Sequence, residues 1–140
     1  MSHFVVDASV AIKWFLPEVH GEAALRLLED DHNLLAPDLL FPEIGNVLWK
    51  RVNRGEATPE EAGATLEAFI SLPLEVLSSP PLLPLALEIA CRVRRSVYDS
   101  LYLAVALLRR CPMVTADRRL HNALKNGPLS ANLLWVADIP

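Results

Sequence analysis

The chain has 140 residues, of which 52% are hydrophobic and 21% charged, and its formal net charge is −4. This length allows one domain with a sizeable core and is short for two, and the composition excludes global disorder. The negative charge argues against a broad basic surface for nucleic acid, although an acidic pocket neutralised by cations would still suit a nucleic-acid enzyme.

The sequence predicts neither a membrane span nor a signal peptide. Apolar stretches are interrupted by charge or proline well before the roughly 18 residues that a span needs. Asp7 and Lys13 interrupt the apolar residues at the start of the chain, which is atypical of a signal peptide. Cys91 and Cys111 lack zinc-ligand spacing, and we expect both to be small buried side chains in a reducing compartment. A cytoplasmic location is therefore expected.

The first half of the chain alternates apolar runs with helical periodicity. Strands are predicted at Phe4 to Val6 and Leu34 to Ala36, and helices at Ser9 to Leu16, Ala23 to Leu28 and Leu39 to Val52. Thr58, Pro59 and Glu61 indicate the start of a further helix, as its N-cap, its first residue and the acid three residues after the cap.

The second half continues this alternation. Strands are predicted at Leu74 to Leu77, Met113 to Thr115 and Leu133 to Val136, and helices at Pro84 to Arg94, Asp99 to Arg109 and directly after Asp117. Strands separated by helices require crossover connections, which indicate a parallel sheet with helices on both faces. Without an internal repeat or a linker, residues 1–140 are predicted to form one α/β domain.

Two acidic residues, Asp7 and Asp117, come just after apolar strands. In open parallel sheets, ligands bind beyond the carboxyl ends of the strands. The ordinary alternative is that each aspartate caps the next helix, an interaction worth about 1 kcal/mol. Because Ser9 and Thr115 are also suitable caps, both interpretations of the aspartates stay open at this point.

Two further acids belong to helices. Glu43 lies at the edge of a buried helical stripe beside Val47, and Asn46 follows it at i+3; a solvated glutamate is the alternative. Asp99 begins an otherwise apolar helix, where the helix N-terminus alone would favour a negative charge. Should the four acids meet, their carboxylates would need protons or cations. All-oxygen sites with open positions suit Mg²⁺ or Mn²⁺ and are typical of nucleases.

Four segments together resemble one family. VVDASV, PEIGNVLW, YDSLYLAVA and VTADRRL are similar, in order and spacing, to the PIN-domain ribonucleases, and most of all to the VapC-type toxins of toxin–antitoxin pairs. The resemblance covers essentially the whole chain. It implies a three-layer α/β/α fold with a central, mostly parallel sheet. It also implies a Mg²⁺- or Mn²⁺-dependent RNA endonuclease, a cognate antitoxin and a homodimer.

The resemblance assigns residues as well. Its metal-site acids are Asp7, Glu43, Asp99 and Asp117, and its supporting residues are Ser9, Asn46 and Thr115. Under this assignment, helix capping by Asp7 and Asp117 gives way to a shared metal site. Ser100 departs from the family, which usually has alanine after the third acid. Candidate contacts for RNA phosphates are Lys13, Arg118 and Arg119, together with Arg92, Arg94 and Arg95, and the alternative for each is a solvated surface charge.

The expected chemistry is metal-assisted hydrolysis, which leaves 5′-phosphate and 3′-hydroxyl ends. A haloacid-dehalogenase-like phosphatase would need a second Asp where Ser9 stands. A response-regulator receiver would need an acid where Ala8 stands and a better-placed lysine than Lys125. A non-catalytic RNA- or antitoxin-binding PIN-like module remains the alternative, although it would be marked by a missing acid and none is missing. Two interpretations stay open for the aromatic and apolar residues Trp14, Phe15, Leu16 and Trp49. They form part of an antitoxin-binding surface, or they pack in the core or at a dimer interface.

Overall fold

The computed structural model describes residues 2–29 and 31–140. A parallel sheet occupies its centre, with five strands in the order β3-β2-β1-β4-β5. The strands are β1 His3–Val6, β2 Asn33–Pro37, β3 Glu75–Leu77, β4 Met113–Thr115 and β5 Leu133–Trp135. Each predicted strand is confirmed to within about one residue at either end.

Helices connect the strands and cover both faces of the sheet. They are α1 Ala8–Ala11, α2 Gly21–Glu29, α3 Leu40–Asn53, α4 Pro59–Ile70, α5 Ser79–Val93, α6 Val97–Arg109 and α7 Arg118–Leu124. Short 3₁₀ turns follow α1 and flank β5, at Ile12–Trp14, Ser130–Asn132 and Val136–Asp138. The predicted three-layer α/β/α architecture with a parallel sheet is thus confirmed.

The core explains why the strands are continuous apolar runs. Val5 and Val6 of β1 and Leu35 and Ala36 of β2 are fully buried, because helices cover the sheet on both faces. Every residue of α6 from Ser100 to Ala106 is buried as well, since this helix packs against β1, β2 and β4 while α5 packs against it. Burying each large apolar side chain contributes roughly 1.5–3 kcal/mol.

Helices α5 and α6 begin earlier than predicted. The start of α5 is Ser79 rather than Pro84, and its first turn contains two prolines, Pro80 and Pro81. Prolines are tolerated there because the first N–H groups of a helix have no acceptor within it. The N-cap of α6 is Ser96, whose Oγ accepts a hydrogen bond from the Asp99 N–H at 3.1 Å. Asp99 therefore lies inside the first turn of α6 and does not open it.

Two further expectations were wrong. The predicted helix from Ser9 to Leu16 is α only as far as Ala11 and then tightens into a 3₁₀ turn. Cys111 is buried as expected, but Cys91 is exposed. The buried stripe of α5 includes Ile89, and at 100° per residue Cys91 lies about 200° away from it, on the solvent face.

Over the described part of the chain, no helix combines the length and the apolar character needed to cross a membrane.

Ser100 offers a test of core packing. Its side chain is 0% exposed, and its Oγ has no hydrogen-bond partner among the described residues. Because a buried hydroxyl without a partner is costly, Ser100→Ala should raise the free energy of unfolding by about 1 kcal/mol. Urea denaturation would measure this change. Ser96→Ala is the control, since it removes the α6 cap and should lower stability by about 1 kcal/mol. A clear loss of stability in Ser100→Ala would contradict the prediction.

Candidate active site

Side-chain hydrogen bonds join the carboxyl ends of β1 and β4, which are neighbouring strands. Thr115, at the end of β4, donates its hydroxyl to Asp7 Oδ2 at 2.6 Å. Ser9 donates its hydroxyl to Asp7 Oδ1 at 2.5 Å, and its oxygen accepts the Ala116 N–H at 2.9 Å. The Asp7 carboxylate, 7% exposed, is therefore fixed by groups from both strand ends.

Asp7 and Asp117 also cap helices. Asp7 Oδ1 accepts the Val10 N–H at 3.1 Å, and Asp117 Oδ1 accepts the N–H groups of Arg119 and Leu120 at 3.0 and 3.2 Å. The expectation that a shared site would replace capping was wrong. A carboxylate has about four acceptor positions, so an aspartate can cap a helix and still face a pocket.

One pocket of about 190 Å³ collects the predicted acids. Its lining residues are Asp7, Ala8, Ser9, Glu43, Asp99, Tyr102, Met113 and Asp117. Four parts of the fold contribute: the residues after β1, β4 together with the aspartate that follows it, the first turn of α3, and α6. The parallel topology accounts for this meeting, because the carboxyl ends of parallel strands lie at the same edge of the sheet.

Tyr102 is a lining residue that the sequence did not indicate. Its hydroxyl donates a hydrogen bond to Glu43 Oε1, and its side chain is 3% exposed. In sequence it looks like one more core residue of an apolar helix. The available signal was its spacing, because Tyr102 follows Asp99 at i+3 and so shares a helix face with that acid.

Other predicted residues lie elsewhere. Asn46 is exposed and is absent from the pocket lining. Lys13 forms an ion pair with Glu18 at 3.2 Å. Arg118 and Arg119 are exposed at the start of α7, directly after Asp117.

The pocket disfavours negative charge. Burial raises the pKa of Asp7 to about 6, and repulsion from Glu43 adds to this, although three hydrogen bonds to Asp7 oppose the shift. Burial also raises the pKa of Glu43, as does the nearby charge of Asp99. Burial raises the pKa of Asp99 too, against the opposing charge of Arg95, whose Nη2 lies 3.5 Å from Asp99 Oδ2. Protons or cations would relieve this repulsion.

The donor chemistry fits a hard divalent cation. Carboxylate and hydroxyl oxygens suit Mg²⁺ or Mn²⁺. Within residues 2–29 and 31–140, no three side chains of the types His, Cys, Asp or Glu are arranged closely enough to form a complete metal site. Mg²⁺ is usually held by one or two carboxylates, with water and substrate phosphate as its other ligands. The pocket therefore suits an open site rather than a closed cage of protein ligands.

Comparisons with known proteins agree with this fold. The PIN domain family matches residues 4–125. Ribonuclease VapC3 from Pyrobaculum aerophilum is 34% identical over 118 residues, which cover 83% of this chain and 90% of that relative.

Solved structures are similar over nearly the full chain. PAE2754 from Pyrobaculum aerophilum is 27% identical with a TM-score of 0.71, covering 97% of this chain and 85% of that one. VapBC2 from Rickettsia felis, solved with a DNA fragment from their promoter, has a TM-score of 0.65 and covers 95% of this chain and 96% of that one. At 14% identity, this second likeness supports the fold alone.

The pKa of Asp7 predicts a pH-dependent stability in the absence of divalent ions. The folded protein keeps the Asp7 proton up to a pH of about 6, whereas the unfolded chain loses it near 3.8. The contribution of this group to stability is therefore complete below the lower value and is lost as the pH rises to the upper one. The loss should be on the order of 3 kcal/mol.

Denaturation in EDTA at pH values from 3 to 8 would give the free energy of unfolding of wild type and of Asp7→Asn, which cannot titrate at this position. The difference between these two free energies should change over this pH range by the predicted loss. A constant difference in free energy of unfolding between the two proteins across this pH range would contradict the prediction.

Proposed function

The chain belongs to the PIN-domain family, and we propose that it is a divalent-metal-dependent RNA endonuclease that acts as the toxin of a toxin–antitoxin pair in the cytoplasm. The likeness to Ribonuclease VapC3 supports the activity. The structural observation that carries the proposal is the single pocket lined by Asp7, Glu43, Asp99 and Asp117.

The energetic cost of this pocket supports a functional role. Removing carboxylates from water destabilises a fold unless cations or hydrogen bonds compensate. Burial raises the pKa of three of the four acids, those of Asp7, Glu43 and Asp99. A fold selected for stability alone would not place them together, whereas a cation-dependent enzyme needs them there.

Each acid of the pocket then has a role. Asp7, Asp99 and Asp117 would hold one or two Mg²⁺ or Mn²⁺ ions, and Glu43 would hold a second ion or orient the attacking water. When bound, such an ion supplies Lewis acidity, which lowers the pKa of bound water and stabilises charge on phosphoryl oxygens.

Neighbouring groups hold the acids in place. Ser9 and Thr115 fix both oxygens of Asp7 by hydrogen bonds. Tyr102 donates to Oε1 of Glu43, which restrains that carboxylate while its second oxygen can accept a hydrogen bond from water. Attack by water, rather than by the ribose 2′-hydroxyl, leaves 5′-phosphate and 3′-hydroxyl ends.

The RNA backbone would be bound beside the acids. Arg118 and Arg119 are exposed immediately after Asp117, so both are positioned to neutralise phosphates near the pocket. Lys13 is a weaker candidate because its ammonium group already pairs with Glu18.

The second part of the proposal is a protein partner, the cognate antitoxin, together with a homodimer. Trp14, Phe15 and Leu16 pack against the core as partly buried residues, but Trp49 is 58% exposed on α3 and Ile70 is 57% exposed on the adjoining α4. An antitoxin segment covering this apolar surface and sending an arginine into the acidic pocket would replace the charge of the metal.

The proposed catalytic role of Asp117 can be tested separately from its role as a helix cap. Asp117→Asn keeps an N-cap of equal quality but removes the charge, whereas Asp117→Ala removes both. The rate of RNA cleavage in Mg²⁺ should fall at least about tenfold in both variants. Even mutation of a residue that only hydrogen-bonds to a metal ligand lowers metal affinity or activity roughly 10–100-fold. Only the alanine variant should lose about 1 kcal/mol of stability.

Asp138→Asn, the same change at an exposed position, is the control and should cleave normally. Full activity of Asp117→Asn would show that the charge of this acid is not needed for catalysis. A wild type that binds RNA but never cleaves it in Mg²⁺ or Mn²⁺ would favour the non-catalytic module.

The antitoxin prediction concerns the exposed tryptophan of α3. Coexpression with the small protein encoded by the neighbouring gene should give a complex that does not cleave RNA. Trp49→Ala should weaken that complex without changing the cleavage rate of the free protein, as measured by binding titration and by RNA cleavage. Leu108→Ala, at another exposed apolar position, is the control. A stable complex that cleaves RNA at the full rate would contradict inhibition through the site.

A further inference from the structure

Planar side chains gather around Trp135, the last residue of β5. The guanidinium carbon of Arg118 lies 4.3 Å from the centroid of the Trp135 ring. The ring of His121 is 5.3 Å away from the same ring and that of His20 is 6.0 Å away. We call these four residues the Trp135 platform. Trp135 is half-buried, while Arg118 is exposed above it.

The Trp135 platform lies at the same edge of the sheet as the acidic pocket. The sheet register pairs Trp135 with Thr115, and neighbouring strands lie about 4.8 Å apart. Thr115 is the residue whose hydroxyl bonds to Asp7, and Arg118 directly follows Asp117 in sequence. The platform and the acids therefore share the carboxyl edge of the sheet.

Backbone conformation adds an independent observation. His20 has φ = 64°, in the left-handed region that residues other than glycine seldom adopt. Such conformations persist where the surrounding structure holds them, and they concentrate at functional sites. At His20, this conformation accompanies an edge-on contact between the imidazole and Trp135.

The chemistry of the platform indicates the ligand. Unpaired RNA bases stack on aromatic rings and on arginine guanidinium planes. Paired bases are already stacked within their helix and cannot present a face to such a platform. In a chain with a net charge of −4, the exposed Arg118 also supplies a local positive charge beside the acids.

We propose that Trp135 and Arg118 form a subsite that stacks one unpaired nucleobase of single-stranded RNA next to the phosphate held at the acidic pocket. This inference rests on the proposed function. Arg118 presents the outer face of its guanidinium group to the base, and Trp135 supports that group from behind, with His121 and His20 at the edges of the ring.

The test is equilibrium binding by the full-length protein in EDTA, where RNA stays intact. Two labelled probes are compared by fluorescence anisotropy: a short single-stranded RNA of mixed sequence, and an abasic ribose-phosphate chain of the same length. The first probe offers bases and phosphates, and the second offers phosphates alone. Thermal melting confirms that each variant is folded.

Arg118→Lys is the decisive variant, because it keeps the positive charge and removes the planar guanidinium group. Its binding to the base-containing RNA should weaken about tenfold, within the range found for one stacked base, while binding to the abasic chain should change by less than about twofold. Arg54→Lys is the matched control, since Arg54 is an exposed arginine at the end of α3 and its replacement should affect neither probe.

Trp135→Leu provides the second arm. It should weaken binding to the base-containing RNA about tenfold, whereas Trp135→Phe, which keeps a ring, should retain most of the affinity. Trp49→Leu, the same change on α3, is its control. If Trp135→Leu does not fold, the result for Arg118→Lys decides, because Arg118 is an exposed residue.

Normal RNA binding by folded Arg118→Lys would overturn the subsite, as would an equal loss for both probes. If the variants bind like wild type while wild type still cleaves RNA, the subsite alone fails. If wild type neither binds nor cleaves RNA, the proposed function fails with it.

Discussion

The buried carboxylate of Asp7 is the interaction on which the site depends. Hydrogen bonds from Ser9, Val10 and Thr115 to its two oxygens join the end of β1, the start of α1 and the end of β4. These bonds favour the charged form, yet burial outweighs them and raises the pKa of Asp7 to about 6. The fold thus holds a carboxylate in a position where its charge is only partly compensated. Such a conflict is typical of functional sites, where local stability is given up for chemistry.

The other acids reach Asp7 because of how two helices pack. The buried segment of α6 fixes that helix against the sheet, and its partly exposed first turn places Asp99 at the pocket, with Tyr102 one turn further along. Tyr102 in turn bonds to Glu43 of α3, so two helices that are distant in sequence contribute to one pocket. The side chains are restrained by packing and hydrogen bonds, which is what a site for repeated catalysis requires.

Acidic and basic side chains occupy separate but neighbouring positions along the carboxyl edge of the sheet. The pocket concentrates carboxylates, whereas α7 brings Arg118 and Arg119 to the surface beside it, and Arg118 rests on Trp135. A protein with an acidic balance therefore has a local basic and aromatic surface beside its acidic pocket. Under the proposed function, long-range attraction would be weak in such an arrangement, so contacts to bases and nearby phosphates would have to supply the affinity for RNA.

The sequence alone determined the features that depend on neighbouring residues. The capping box of Thr58 and Glu61 was predictable because both of its hydrogen bonds span three residues, and the apolar runs predicted the strands because a sheet covered on both faces needs them. The four acids were recognised from local motifs. Only the tertiary structure decided which residues share the pocket: it added Tyr102, left Asn46 exposed and placed Trp135 beside Thr115. Those outcomes follow from strand register and helix packing between distant segments, which local periodicity does not encode.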